Sequence, residues 1–292
     1  MQCTISEPVR ISGTGLHTGC TVLMWLRPAP ASTGIVFRRV DLHNFEIEAL
    51  RRHVSRVVLA TTLMKKGVML STVEHLLSAV YGLGIDNLYI DIDSLEVPIL
   101  DGSAQPFVQM VQEAGIRDLG QERTFLKVLN PICLRNGDKF ISIEPASSLQ
   151  IAYEIDFAHP AIGHQILDLE ITPATYVREI AFARTFGFYS EVEELRRKGL
   201  IRGGSLENAV VLDETRIMNG PLRSENEFVR HKILDLIGDI SLCGYPLIGR
   251  ISAYRAGHAL HTDLATALAR GESGACVRVK ESDLVTAEAA NF

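Results

Sequence analysis

Glu227-Phe-Val-Arg-His-Lys-Ile-Leu-Asp-Leu-Ile-Gly-Asp239 changes character every three to four residues, the period of a helix. His231, Asp235 and Asp239 stand four apart and form one polar stripe, flanked by Phe228, Ile233, Leu234 and Ile237. A four-residue step overshoots a full helical revolution by only about 40°, so His231 and Asp235 project from one face, one turn apart. An imidazole and a carboxylate placed this way can grip one cation, with Asp239 a further turn along. The same stripe also fits an amphipathic helix whose His and Asp make ordinary hydrogen bonds. Two ligands do not complete a tetrahedral zinc site, so a third from elsewhere in the chain separates the two readings.

At 292 residues the chain is long enough for two domains, and 47% hydrophobic with 22% charged residues is the balance of a soluble globular protein. A formal net charge of −6 argues against nucleic-acid binding, which calls for a basic field. An anionic substrate must then be met by local basic residues. Five dispersed cysteines without a CxxC pair suit a reducing compartment better than a disulfide framework. The N-terminus lacks the basic and apolar regions of a secretory signal, and no apolar run approaches the roughly 20 residues that cross a bilayer. The expectation is a cytoplasmic monomer with no transmembrane segment. Peripheral membrane contact leaves little trace in composition and stays open.

Strand-like runs fill the first segment: Val9-Arg-Ile-Ser, a glycine-bounded loop Gly13-Thr-Gly-Leu-His-Thr-Gly19, then Cys20 to Leu26. A helix follows over Ser71–Gly82, where Ser71 or Thr72 with Glu74 fits a capping box. Asn87–Asp93 alternates as a strand, and Gln105–Gly115 is a second helix. Strands begin afresh at Phe125–Val128, Phe140–Ile143 and Leu149–Ile155. Helices are then expected at Pro173–Phe182 and Glu191–Lys198, before the apolar run Ala209–Leu212 and the helix quoted above. A strand at Gly249–Tyr254 and a helix from His261 to Arg270 come last, with a polar tail from Glu272 onward. Both halves thus run strands, His-bearing helix, strand, helix. The pattern predicts two similar α+β domains, 1–122 and 123–292, facing each other across a cleft.

The candidate third ligand is His75. It follows Glu74, a carboxylate that could act as a base beside a metal, although a capping Glu and a core-edge His explain the same dipeptide. Gly257-His-Ala-Leu-His261 adds two imidazoles, with His258 on a loop after a strand, where functional groups concentrate. His17, between two glycines, is similarly ambiguous, and His159 and His164 carry no assignment. Thr185 is a polar group followed by Phe186-Gly-Phe188, built like an apolar wall.

With these residues in view, the sequence resembles the UDP-3-O-acyl-N-acetylglucosamine deacetylases of lipid A synthesis. The resemblance runs in order through Gly13–Gly19, Ser71-Thr-Val-Glu-His75, Gly84-Ile-Asp-Asn87, Pro98–Ala104, Ala183–Phe188, Gly203-Gly-Ser205, Phe228–Asp235 and Ala256–Leu260. It implies two α+β domains, each a β-sheet with packed helices, the helices of both sandwiched between the sheets. It implies Zn²⁺ as cofactor, held by His75, His231 and Asp235, although iron also suits such ligands. Glu74 would be the base, Thr185 an oxyanion donor and His258 the acid, with Asp239 holding His258 charged. The substrate implied is an acylated UDP-N-acetylglucosamine, its acyl chain in a passage formed by an insert at about 186–211 that starts at Phe186. Lys232, expected to point about 100° away from His231, would meet the diphosphate. One departure stands out: the family usually has Asn where this chain has His261, for which a structural role is expected. Two other functions are weighed against this one. They are a zinc deacetylase of another N-acetyl sugar, and a non-catalytic zinc-stabilised binding protein, which would need neither base nor acid.

Overall fold

Short alternating strands dominate the first 120 residues. The computed structural model, which describes residues 1–57, 59–271 and 274–284, begins with β1 (Cys3–Ile5), β2 (Val9–Thr14), β3 (Thr21–Pro28), β4 (Ile35–Arg39) and β5 (Phe45–Glu48). Next come β6 (Val54–Arg56), β7 (Thr62–Lys65), β8 (Val68–Leu70), helix α1 (Glu74–Gly82), β9 (Leu88–Ile92), helix α2 (Gln105–Ala114) and β10 (Ile116–Asp118). Five strands form one sheet in the order β2-β3-β9-β4-β5. In β3, Val22, Met24 and Leu26 are buried while Thr21 and Leu23 face out, the period-two pattern of a strand with one face on the core.

The rest of the chain builds a second sheet. It begins with β11 (Thr124–Val128), β12 (Ile132–Asn136), β13 (Lys139–Glu144), β14 (Leu149–Asp156) and β15 (His164–Glu170). After α3 (Pro173–Thr175) come β16 (Phe186–Phe188), α4 (Tyr189–Arg197), β17 (Val210–Leu212), α5 (Glu227–Ser241), β18 (Leu247–Tyr254), α6 (His258–Arg270) and β19 (Cys276–Lys280). The main path is β12-β13-β18-β11-β19, with β14 also on β18 and β15 on β14. The fold is α+β.

The two sheets share a design. β9 lies between β3, which runs antiparallel to it, and β4, which runs parallel. β18 likewise has β13 antiparallel and β14 parallel. Each central strand follows one helix and precedes another, and the leading helices α1 and α5 pack on each other. Both are buried almost all round, as helices between layers must be. Their close approach depends on Gly238 of α5. A Cβ there would lie 2.8 Å from the carbonyl carbon of Glu74, and nearer still to its oxygen.

Three expectations need correction. No capping box opens α1: the helix starts at Glu74 without a side-chain cap. Thr72 adopts φ 59°, a left-handed turn that ends the strand direction, and its hydroxyl donates to Glu96 at 3.1 Å instead. The helix expected over Pro173–Phe182 is one α turn, capped by Thr172, that widens into a π turn over Tyr176–Ile180. There the Tyr176 ring sits against Gly82 and its hydroxyl donates to Ser78 at 2.9 Å. The last helix begins at His258, with Gly257 as N-cap, so His258 opens a helix rather than ending a loop. The polar tail adds a strand: Cys276–Lys280 pairs antiparallel with β11. Its parts at 272–273 and 285–292 lie outside the described residues.

Candidate active site

Three elements converge at the helix crossing. From α5 come His231, Asp235 and Asp239; from the first turn of α1, Glu74 and His75; from the start of α6, His258. Asp235 Oδ1 lies 3.3 Å from His231 Nε2 and 3.6 Å from His75 Nε2. These separations are long for ion-pair hydrogen bonds. They match the edges of a coordination tetrahedron, which for bonds of about 2.0–2.2 Å are about 3.3–3.6 Å long. The ligand atoms of His75, His231 and Asp235 all lie within 4.8 Å of one another, and all three residues are buried. The donor set therefore fits one divalent cation.

Protonation agrees with that use. His231 Nδ1 donates to the Ala183 carbonyl at 3.1 Å, which leaves the Nε2 lone pair facing Asp235. Burial pushes its pKa down to about 3, against the pull of Asp235. For Asp235, burial acts upward, but the neighbouring His231, Lys232 and His75 hold the carboxyl well below its usual range. Neutral imidazole and ionised carboxylate are the ligand forms. The first residue of α5 helps to set this up. Glu227 accepts from the backbone and side chain of Arg184 at 3.0 and 2.8 Å and from Arg223 N at 2.6 Å, pinning the segment that carries Ala183.

Beside the cluster stand an acid and a base. Glu74 is buried, which raises its pKa against the opposing pull of His258 and His75, and it accepts the Thr61 N–H at 3.1 Å. His258 Nδ1 donates to Asp239 Oδ2 at 2.7 Å, so its Nε2 is free to face the site. Burial acts against the charged imidazole, but Asp239, then Asp235 and Glu74, raise its pKa to about 10. Thr61, which no local pattern singles out, joins the two groups: its hydroxyl donates to Asp239 Oδ1 at 2.6 Å. Asp239, His258 and His261 form a second cluster of ligand-type atoms. Both Nδ1 atoms there point at one carboxylate oxygen at 2.7 and 2.9 Å, so they carry protons and are closed to a cation.

Thr185 sits between pinned neighbours. Its N–H donates to Gly102 O at 2.8 Å and its carbonyl accepts from Val210 N at 2.7 Å. Phe186 packs edge-on against Phe228 at 4.9 Å and reaches His231 at 6.3 Å, forming an apolar wall next to the cluster. From Phe186 the chain runs β16–α4–β17, with β16 parallel to β17 and no buried residue in α4. Helix α4 stands out from the core while the buried strand β17 anchors the unit to it, and the return loop rests on the glycine loop near the N-terminus through Gly203 N to Leu16 O at 3.0 Å.

Lys232 departs from its expected direction. Its ammonium folds back to Asp235 Oδ2 at 2.9 Å and lies 5.3 Å from the Phe186 ring centre. The buried carboxylate is within reach of the four-carbon stem. Lys232 also lines a cavity of about 340 Å³ with Lys139, Phe157, Arg255 and Gly257. Lys139 and Arg255 were not read from the sequence, where isolated basic residues beside turns carry no distinguishing signal. His17, His159 and His164 stay apart from this site: the buried His17 ring nitrogens have no hydrogen-bond partner among the described residues, His159 bonds Asp213 O, and His164 pairs with Glu154.

Comparison with known proteins adds an independent finding. The model of the UDP-3-O-acyl N-acetylglycosamine deacetylase family matches residues 2–270. The UDP-3-O-acyl-N-acetylglucosamine deacetylase of Solibacter usitatus (strain Ellin6076) is 48% identical over 264 residues, 90% of this chain and 89% of that protein.

Proposed function

The chain belongs to the UDP-3-O-acyl N-acetylglycosamine deacetylase family, hydrolases of lipid A biosynthesis, and we propose that it works by zinc-dependent hydrolysis at the cluster described above. The reaction is removal of the N-acetyl group of UDP-3-O-(3-hydroxyacyl)-N-acetylglucosamine as acetate. The observation that carries the assignment is the convergence of His75 and His231 on Asp235 at tetrahedral edge distances beside Glu74 and the Asp239-bonded His258. Zn²⁺ held by these three would supply Lewis acidity and a polarised water.

The chain's own residues do the rest. Glu74, its pKa raised by burial, takes the proton of the attacking water. The Thr185 hydroxyl donates to the oxyanion that develops on the acetamide carbonyl. An amide resists hydrolysis because its amine leaves poorly unless protonated. His258, kept cationic by Asp239, delivers that proton from Nε2. Lys232, with Lys139 and Arg255 across the basic cavity, meets the diphosphate. Phe186 and the β16–α4–β17 unit through Val211 line the path of the acyl chain. Among the described residues no helix is long and apolar enough to cross a membrane. We assign the enzyme to the cytoplasm, in keeping with its five free cysteines, as a monomer whose acylated substrate brings it to a membrane surface. The two halves, 1–122 and 123–292, act as the two domains that share the site.

The test is acetate release from the 3-O-acylated UDP-sugar, measured beside the same sugar without its acyl chain. Metal-dependent release from the acylated compound supports the reading. Equal rates on both compounds would point to a deacetylase of another N-acetyl sugar, and no release from either would end the assignment.

A further inference from the structure

The hydrogen bonds behind His258 continue past Asp239 and return to the backbone that presents His258. His261, one turn further along α6 and fully buried, donates from Nδ1 to Asp239 Oδ2 at 2.9 Å. This is the same oxygen that receives His258 Nδ1 at 2.7 Å. The other face of the His261 ring, Nε2, lies 2.9 Å from the Tyr153 hydroxyl. Tyr153, from β14 and also fully buried, donates to the Ala256 carbonyl at 2.7 Å. Ala256 stands two residues before His258. The ring closes: His258, Asp239, His261, Tyr153, Ala256 and back along the chain.

Counting protons shows what His261 contributes. The Asp239 carboxylate and the Ala256 carbonyl only accept. The Asp239 charge is already balanced by His258, and burial lowers the pKa of His261 despite Asp239. His261 is therefore neutral, with its one proton on Nδ1. Nε2 then presents a lone pair to Tyr153, whose single proton serves two acceptors, Ala256 O and His261 Nε2. The imidazole is long enough to span carboxylate and phenol at once. A shorter amide side chain in its place would reach the carboxylate alone.

We propose that His261 is a positioning residue for the deacetylation: by bridging Asp239 to Tyr153, it ties the carboxylate that orients His258 to the backbone from which His258 springs. A proton donor works only when aimed at its target, and a misplacement of about 1 Å can cost about 10²-fold in rate. Thr61 and His258 alone leave Asp239 Oδ2 held by a group that itself must be aimed; His261 gives it a fixed support. The charged groups that face this pair are Asp239 and Asp235 from α5 and Glu74 from α1, and none of them replaces that support. The proposal rests on the reading of His258 as the proton donor.

Three variants of the zinc-loaded enzyme open the ring at different links. His261→Asn keeps a donor where Nδ1 stands and loses Tyr153; His261→Gln does the reverse; Tyr153→Phe removes the phenol. His261→Asn and Tyr153→Phe are each expected to lower kcat by about tenfold with unchanged KM and metal content. Their double variant is expected to lose no more than either one, because one ring opens only once. His261→Gln, which frees Asp239, loses more. Nitrogen-15 spectra of the histidines give a readout independent of turnover: two Nδ1–H signals bonded to carboxylate in the native protein, with that of His258 exchanging faster in Tyr153→Phe. Native kcat in both His261→Asn and Tyr153→Phe, multiplying losses in the double variant, or an unaltered His258 signal in Tyr153→Phe would overturn the proposal. If the native enzyme released no acetate, the functional reading would fail, and the imidazole signals would still decide the ring.

Discussion

Replacing Gly238 by alanine should pull the metal ligands apart. By helix propensity alone the change is favourable, stabilising an exposed helix by about 1 kcal/mol. At this crossing packing opposes it. The new Cβ would sit 2.8 Å from the Glu74 carbonyl carbon, whereas carbon contacts settle at about 3.5–4.0 Å. The obstacle is backbone, which cannot swing away as a side chain can, so α1 and α5 must separate by nearly an ångström. Overpacking of this kind costs about 1–3 kcal/mol, so packing outweighs propensity and Tm falls by a few degrees. The larger effect falls on the cluster. His75 rides on α1 and its partners on α5, at donor separations of 3.3 and 3.6 Å. A metal site tolerates errors of about 0.2 Å in its bond lengths, so metal affinity should drop at least about tenfold. Competition with a fluorescent chelator measures the affinity, and calorimetry the Tm. A variant with native metal affinity and a raised Tm would refute the idea that the helix crossing sets the ligand geometry.

Other residues give separable outcomes. Glu74→Gln should keep its metal and lose about 10²-fold or more in kcat; near-native turnover would remove Glu74 from the role of base. Asp239→Asn removes the largest influence raising the pKa of His258, so the alkaline limb of the kcat profile should move toward neutrality, and an unmoved limb would sever the pair. The sign of the stability effect follows from the same shift. His258 titrates near 6.5 when unfolded and at about 10 when folded, so its pairing stabilises fully below the first value and is lost as pH rises through the second. Leu195→Asp, on the projecting helix, should raise KM for the acylated substrate and leave that for a short-chain analogue alone; equal effects on both would detach α4 from the acyl path.

Much of this architecture could be read from residue spacing. The stripe of His231, Asp235 and Asp239 needed only the helical period, and all three lie on α5 as the period requires. Their partners across the crossing were harder, because nothing local to His75 distinguishes a ligand from a core-edge histidine. Glu74 misled in the same way: three residues after Ser71 it mimics a capping box, yet tertiary contacts turn its carboxylate toward Thr61. Lys232 was expected to follow helical geometry, but a long flexible stem let it fold back on Asp235. Thr61, Tyr153 and the basic pair Lys139 and Arg255 were invisible for a common reason. Each joins the site by a long-range approach, and a single sequence records no distance between such positions.

Anomalous diffraction at the zinc edge, from crystals of the protein purified without chelators, tests the metal assignment most directly. The expected result is one peak about 2.0–2.2 Å from His75 Nε2, His231 Nε2 and Asp235 Oδ1. A peak among Asp239, His258 and His261 instead, or none in zinc-replete crystals, would contradict it.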